Sequence, residues 1–544
     1  MTSHRITFTP SGRSLLVPDG DTILDAARRA SEALPAECGG RGACGRCLVR
    51  VVEGDVPEYR VLHRQEGRPE VLACLTPIRG PLTILPLVDA ELPHLISRDQ
   101  NVGVCPLDDW APWTLPLDPL GDRVSDADLG VALDVGTTTL RLVLIRLSDG
   151  VVIGEAGSYN PQIGRGADVI SRIVSAEKGL LGELASLVRE AATKMVTAAS
   201  STADVDPRRI RAYVVAGNTT MVHLLLAEDP SGIRRVPSEP RSLAFAPVPA
   251  RVLGWPGTDR ALVHTIPGAG GWVGGDIVSG VVRAGLPRAT DVLTLYVDLG
   301  TNGEIVLGGS DFALACACSA GPAFEGGGIR CGMRADRGAI DGARVDPVEE
   351  TLEVSVIGGG RAEGVCGSGL IALVQALFTA GWIDRGGRLT ERLPGRYRLN
   401  GPSGAAVALE PRGQVALWER DITSLVRAKA AIFAGIRSLA TVLGGGAGRL
   451  ERVIVSGNFG RYLNLAAATG IGLLPDLPFG CYQYIDNGSL EGAALALLSR
   501  PFLSDVSAYL GRVTYVDLST VPGYMDEFVG ASFLPHTSPD LLRL

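Results

Sequence analysis

The sequence predicts an α/β protein of several domains. From residue 129 onward three glycine-ended apolar strands of one kind recur, and two of them are near copies that end in Asp, an apolar residue, Gly and Thr. Ahead of them lies a short unit with one helix-like segment and three cysteines inside a glycine-rich stretch at residues 37–51. At 544 residues the chain exceeds one ordinary domain and should hold about three or four, taking on the order of 150 residues for each. A hydrophobic share of 46% and a charged share of 20% are ordinary for a folded, soluble protein. The net charge of -8, with no basic run and no interleaving of basic and aromatic residues, excludes a nucleic-acid binder. Residues 1–13 are polar and lack the apolar core of a signal peptide, and no uncharged apolar run reaches membrane-spanning length, so a cytoplasmic protein with no membrane partner is expected.

The first unit reads as a small sheet with one helix. Residues 5–9 and 14–17 are short strands joined by the turn Pro10-Ser11-Gly12-Arg13. Asp21 then precedes an apolar-periodic segment over residues 22–30 and is expected to cap it as a helix. The cysteine loop follows, then a strand over 48–52, Cys74, and a closing strand over 82–87. Cys38, Cys44 and Cys47 are separated by five and two residues, and their thiolates can converge with Cys74 on one inorganic centre. Gly39, Gly40, Gly42 and Gly45 let the backbone curl round such a centre with N–H groups turned inward. Structural zinc also uses four cysteines, but in two short knuckles, and Cys74 has no close partner in sequence. A disulfide reading lacks any sign of export. The order of elements resembles a β-grasp [2Fe–2S] ferredoxin over residues 1–88, in the variant whose first gap is five residues rather than the plant-type four.

Between residues 89 and 128 five prolines and two tryptophans appear without any sustained period, and this stretch reads as a linker. Trp110 and Trp113 are expected to pin it to a neighbouring domain.

The remainder, 129–544, is built on the repeated strands. The first is Gly130-Val131-Ala132-Leu133-Asp134-Val135-Gly136-Thr137-Thr138-Thr139, and the second Leu295-Tyr296-Val297-Asp298-Leu299-Gly300-Thr301-Asn302-Gly303-Glu304. The third is Arg452-Val453-Ile454-Val455-Ser456-Gly457-Asn458-Phe459-Gly460, and a related strand over 212–220 ends in Ala216-Gly217-Asn218-Thr219-Thr220. Near-identical copies imply two similar lobes. A tight hairpin with glycine at its apex presents successive N–H groups to phosphate oxygens, and the hydroxyls of Thr137, Thr138, Thr139 and Thr301 add donors. Asp134 and Asp298, each at the end of a lobe's first strand, would face one another and hold the water shell of a Mg²⁺. Two copies of this hairpin with a third glycine loop resemble the acetate and sugar kinase, heat-shock chaperone and actin (ASKHA) superfamily of two-lobed ATPases. That resemblance implies an actin-like domain that binds ATP with Mg²⁺, with Asp134 and Asp298 catalytic. It puts Gly136, Thr137, Thr138, Thr139, Gly217, Asn218, Gly300, Thr301, Asn302, Gly303 and Glu304 on the phosphates, and Gly457 and Asn458 near adenosine.

Asp421 is expected to cap a long amphipathic helix stopped by Gly444-Gly445-Gly446. Residues 266–271 and 364–369 read as glycine-rich entries to helices, either lining the cleft or serving as packing turns. Cys366 has no acid or histidine near it and reads as a buried thiol, as do the irregularly spaced Cys316, Cys318, Cys331 and Cys481. The six histidines are scattered without ligand spacing.

A one-electron centre and an ATPase on one chain make sense where the electron must move uphill. A plant-type [2Fe–2S] centre sits near about −400 mV. An acceptor on the order of 150 mV lower makes the transfer unfavourable by a few hundred-fold, about 3.5 kcal/mol, which a nucleotide-driven change of lobe closure can supply. The whole architecture resembles the reductive activators of corrinoid proteins, carried by the 38–47 loop, the two Asp-x-Gly-Thr hairpins, Val215-Ala216-Gly217-Asn218-Thr219-Thr220-Met221 and Gly321-Pro322-Ala323-Phe324-Glu325-Gly326. The resemblance implies that an external low-potential donor feeds the cluster, and that the cluster reduces the inactive Co(II) form of a corrinoid protein or corrinoid-dependent methyltransferase to Co(I). A homodimer is compatible with it. The short linker predicts that the extra middle domain of some relatives is trimmed. The competing expectations are an ATP-dependent activator of another low-potential enzyme, a chaperone-like reactivase that exchanges a damaged cofactor, and a plain metabolite kinase.

Overall fold

The computed structural model describes residues 3–9, 12–30, 47–65, 67–86, 127–166, 168–288, 292–300, 302–333, 335, 337–401, 404–410, 413–444, 450–457 and 463–543. Cys38, Cys44, Thr301, Asn458, Trp110, Trp113 and nearly all of the 89–128 stretch lie outside the described residues.

The first unit contains β1 (Ser3–Phe8), β2 (Ser14–Pro18), α1 (Ile23–Arg29), β3 (Leu48–Glu53), β4 (Val61–Gln65), β5 (Arg68–Leu72) and β6 (Leu82–Pro86). They make one sheet in the order β2-β1-β6-β3-β5-β4, with β1 parallel to β6. Alternate residues Ile6, Phe8, Val49, Val51 and Ile84 share a core with Ile23, Leu24, Ala26 and Ala27 of α1, as one-faced burial of a strand requires. The helix cap is Thr22 rather than Asp21. The Thr22 hydroxyl accepts from the Asp25 N–H at 3.1 Å, and the Asp25 carboxylate accepts from Thr22 N–H at 3.3 Å. This reciprocal pair satisfies two backbone donors at once, which a residue one position earlier cannot do. The β4–β5 hairpin was not expected, because its charged residues mask any alternation.

The first lobe runs through β7 (Leu129–Val135), β8 (Thr139–Arg146), β9 (Val152–Tyr159), α2 (Val169–Ser175), α3 (Leu181–Thr202), β10 (Ile210–Gly217), α4 (Thr219–Leu226), β11 (Val248–Pro249), β12 (Leu262–Thr265) and α5 (Gly275–Arg283). Its sheet order is β11-β12-β10-β7-β8-β9. The second lobe begins with β13 (Leu293–Leu299), β14 (Gly303–Gly308) and β15 (Ala313–Cys318), followed by a small sheet of β16 (Ala339–Asp346), β17 (Thr351–Val356) and β18 (Gly364–Val365). Then come α6 (Gly367–Thr379), a second small sheet of β19 (Arg398–Gly401), β20 (Gly404–Ala408) and β21 (Ala416–Trp418), α7 (Glu419–Val442), β22 (Leu450–Ser456), α8 (Leu465–Gly470) and β23 (Tyr482–Tyr484). The chain closes with α9 (Gly488–Leu498), α10 (Arg500–Leu510), β24 (Val513–Tyr515) and α11 (Tyr524–Ala531). The order of the main sheet of this lobe is β23-β22-β13-β14-β15-β24.

The two large sheets share one connectivity. In each, three consecutive strands run antiparallel and a later strand joins the first in parallel: β10 beside β7, and β22 beside β13. The repeat read in the sequence is therefore a repeat of topology. The central strands are buried on both faces, which is why they read as unbroken apolar runs. Along β7, Leu129, Val131, Leu133 and Val135 face the core under α3, and Ala132 faces the opposite core. Along β13, Leu295, Val297 and Leu299 face the core under α7, and Tyr296 faces the same middle layer as Ala132. That layer is filled by α5 and α9, so the last quarter of the chain returns to sit between the sheets.

Two boundaries differ from expectation. The strand expected over 212–220 stops at Gly217, because the Asn218 side chain accepts from Met221 N–H at 3.0 Å and starts α4. The long helix starts at Glu419, and Asp421 stands in its first turn, accepting from the N–H groups of Trp418 and Arg330 at 3.2 Å each. Gly444, at φ +93°, does end that helix. Among the described residues no helix is long and apolar enough to cross a membrane.

The middle layer depends on close approach of α5 to α9. A Cβ at Gly492 would lie 2.5 Å from the Ser279 carbonyl oxygen and 2.6 Å from its Cβ. Gly492→Ala should cost about 1–3 kcal/mol by overpacking, seen as a lower urea midpoint; an unchanged midpoint would mean the helices are not in contact.

Candidate nucleotide cleft and cluster site

The β7–β8 and β13–β14 hairpins open into one cleft of about 630 Å³, lined by Asp134, Gly136, Thr137, Thr138, Thr139, Asn218, Asp276, Ile277, Asp298, Gly300, Asn302, Glu304, Gly457, Asn487 and Ser489. Both aspartates from the repeated strands reach it. Gly217 and Gly303 lie behind it. A Cβ on Gly217 would sit 3.0 Å from the Val135 carbonyl, and one on Gly303 would strike Ile432. Residues 266–271 and 364–369 do not line it. A Cβ on Gly369 would collide with the Ile340 carbonyl, so that glycine is needed for packing.

The first hairpin is held from below. Gly136 carries no side chain because a Cβ would stand 2.7 Å from the Thr139 carbonyl oxygen. The Asn160 amide donates to the Gly136 carbonyl at 2.9 Å, and the Asn218 amide donates to the Thr137 hydroxyl at 3.0 Å. Arg172, wholly buried, donates to the Thr137 carbonyl at 2.6 Å, the Gly166 carbonyl at 2.9 Å and the Gln162 side-chain oxygen at 3.2 Å. Burial lowers its pKa to about 10, so the guanidinium stays charged at neutral pH. A cation fixed beneath a loop of N–H and hydroxyl donors suits a polyphosphate.

The cleft also carries acids. The Asp134 carboxylate accepts from the Asn487 amide at 3.0 Å and the Ser489 hydroxyl at 2.8 Å, while burial pushes its pKa up. Asp276, in the first turn of α5, is pushed up to about 8 by burial and then by the charge of Asp134, with Asp298 adding to it. Glu304 is also raised, by burial first and then by Asp276 and Asp298. The Tyr296 hydroxyl points to Asp298 at 3.4 Å, and Asp298 stands opposite Ser456 of β22. Carboxyls whose proton affinity is raised by burial and then by neighbouring carboxylates are suited to a cation that offsets both. Among the described residues no three acidic, cysteine or histidine side chains form a direct metal-ligand cluster.

Asp276, Asn487 and Ser489 were missed in the sequence. Gly274-Gly275-Asp276 carries a readable signal: a Cβ at Gly274 would lie 2.4 Å from the Asn218 backbone, so the glycine pair marks a close crossing just before the acid. Asn487 and Ser489 follow no motif and reach the site only because α9 returns to the first lobe.

At the other end of the chain, Cys47 and Cys74 are brought together and buried. Ala73 N–H donates to the Cys47 carbonyl at 2.8 Å, and Cys74 N–H donates to the Cys47 sulfur at 3.4 Å. Adjacent sulfurs that receive a backbone N–H fit thiolate ligands of an iron–sulfur cluster. Cys366 is buried with its sulfur 3.2 Å from the Ile340 carbonyl, a packed thiol.

Three family models match the chain: a 2Fe-2S iron-sulfur cluster binding domain at residues 6–79, the RACo middle region at 129–289, and the C-terminal domain of RACo, the ASKHA domain, at 292–543. The middle region is present, contrary to expectation, and is the first lobe itself. The corrinoid activation enzyme RamQ of Eubacterium limosum is 30% identical over 419 residues, covering 74% of this chain and 69% of the relative. The [Co(II) methylated amine-specific corrinoid protein] reductase of Methanosarcina barkeri is 27% identical over 243 residues, 41% of this chain and 42% of that one. A solved structure of a reductive activator for corrinoid, iron-sulfur protein is 34% identical, with a TM-score of 0.76 and 99% of both chains covered. With a ferredoxin-type cluster domain, a middle lobe and an ASKHA lobe in this order, the chain belongs to the reductive activators of corrinoid proteins.

Proposed function

We propose that this protein uses ATP to drive one electron from a [2Fe–2S] cluster to the Co(II) form of a corrinoid protein or corrinoid-dependent methyltransferase, restoring Co(I). The observation that carries this reading is the likeness to a reductive activator over 99% of both chains, joined to a cleft in which Asp134 and Asp298 of the two repeated strands meet. Cys38, Cys44, Cys47 and Cys74 hold the cluster, which supplies the one-electron step. An external low-potential donor refills it.

In the cleft, Asp134 and Asp298, joined by Asp276 and Glu304, hold hydrated Mg²⁺. The hairpin residues Gly136, Thr137, Thr138, Thr139, Gly300, Thr301 and Asn302 donate to the phosphates, with Arg172 beneath the first hairpin. Asn218 fixes Thr137, Gly217 and Gly303 permit the close packing behind, and Gly457 and Asn458 border the adenosine side. Closing two lobes on a phosphate chain gives the nucleotide differential affinity for two conformations, and that difference is what a transfer uphill by about 3.5 kcal/mol requires.

Three outcomes test this. Cys44→Ser should abolish the visible cluster spectrum and the growth of a Co(I) absorption band while leaving nucleotide binding intact. Asp298→Ala should keep the cluster spectrum and lower ATP hydrolysis and Co(I) formation together, by about tenfold to a hundredfold, the usual loss for a group supporting a metal. Chelation with EDTA should stop hydrolysis, and added Mg²⁺ should restore it. Release of corrinoid from the partner without any Co(I) band would instead favour a cofactor-exchanging reactivase.

A further inference from the structure

The ferredoxin-like unit rests on the second lobe at one small place. Phe479, in the turn Phe479–Cys481 before β23, packs against the core of the ferredoxin-like sheet and against the core under α7. Beside it Gly480 stands next to Arg50 of β3, whose Nη2 would lie in ordinary contact, 3.7 Å, with a Cβ there. Arg50 pairs with Glu70 of β5 through Nε at 3.1 Å and Nη2 at 2.7 Å, both on Oε1. Glu70 is wholly buried, and its Oε2 has no hydrogen-bond partner among the described residues. Cys481 is half-buried, and its thiol is pushed up first by burial and then by Glu70 and Glu451. Cys47 immediately precedes β3, and Arg50 is three residues beyond it, roughly 10 Å along an extended chain, so the seat lies close to the cluster end of the unit.

The turn that makes this seat is continuous with the nucleotide cleft. After Cys481 the chain runs through β23, an edge strand paired only with β22. Ile485 N–H bonds the Val455 carbonyl at 3.0 Å, and Asn487 and Ser489 then hold Asp134. One short segment therefore has the ferredoxin-like unit at one end and a cleft carboxylate at the other.

We infer that the Phe479–Cys481 turn is the parking site of the chain's own ferredoxin-like unit, and that magnesium nucleotide in the cleft releases it. The inference rests on the cleft holding nucleotide. When Asp134 turns to the waters of the metal, Asn487 and Ser489 lose their acceptor. The segment then keeps the β22 ladder, the cap of α9, the Tyr482 and Tyr484 hydroxyl bonds and the packing of Ile485, but it loses its tie to the first lobe's carboxylate, and the seat at its far end loosens. Among the described residues the seat is built on Phe479 and the approach of Arg50 to Gly480, a small contact of the kind that such a signal can break. Coupling of this kind is reciprocal, so parking also weakens nucleotide binding.

The test is pulse alkylation of the full-length, cluster-loaded protein with N-ethylmaleimide, read residue by residue by peptide mass spectrometry. Cys481 reports the seat, and Cys331, a half-buried thiol elsewhere in the same lobe, reports general opening. Nucleotide binding is measured in parallel by equilibrium dialysis. A non-hydrolysable ATP analogue with Mg²⁺ should raise the Cys481 rate about tenfold or more, within the usual range of coupling between sites, and leave Cys331 unchanged. Phe479→Ala should give the fast rate without nucleotide. Arg50→Gln, which leaves the lobe untouched, should do the same, and a retained cluster spectrum shows that both variants fold. If nucleotide binds and Cys481 stays slow, the release is wrong and the nucleotide cleft stands. If no nucleotide binds, both readings fall. A slow Cys481 in both variants would mean the turn is not the seat.

Discussion

Two hydrogen bonds to Asp134 hold the ATPase part of this protein in its working shape. The carboxylate ends the first strand of the first lobe, and its partners Asn487 and Ser489 come from the start of a helix more than three hundred and fifty positions later. A buried carboxylate left without donors costs several times a single hydrogen bond, so α9 must return to the first lobe. Its return closes the middle layer: with α5 it packs between two sheets of identical connectivity, and the residues that line the cleft come from both.

Both signs of charge serve the cleft. Arg172 lies beneath the first hairpin, and Asp134, Asp276, Asp298 and Glu304 line the cleft beside the hairpin donors. A polyphosphate with its metal satisfies both sets, its oxygens taking the donors and its cation relieving the crowded carboxyls. Among the described residues the cluster unit shares no core with the first lobe, and Phe479 joins its core to that of the second, so electron storage and nucleotide handling are separable parts that meet at one turn.

Much of this was legible in the residues. The cysteine spacing and the two Asp-x-Gly-Thr strands were readable because each is local: a motif of adjacent residues must serve one loop. The central strands were readable because burial on both faces forces unbroken apolar runs. What stayed hidden is either masked or distant. The β4–β5 hairpin carries charges on a short edge and loses its alternation. Asp21 and Asp421 were misassigned as caps because a cap depends on which backbone donors stand free, a matter of one residue in register at Thr22 and of three at Trp418. Asn487 and Ser489 stand in no pattern, and only the fold gives them a role. Asp276 is intermediate: its glycine pair is a local sign of close packing, but its charge matters only beside three other acids.

Arg172 has a consequence for the stability of the first lobe. Its hydrogen-bond acceptors beneath the first hairpin are all neutral, so no ion pair among these bonds offsets the cost of burying its charge. Keeping the cation means that an anionic guest repays what its burial costs, and the folded population grows by mass action with guest concentration. A nucleotide thus acts on the first lobe as a stabiliser as well as a ligand.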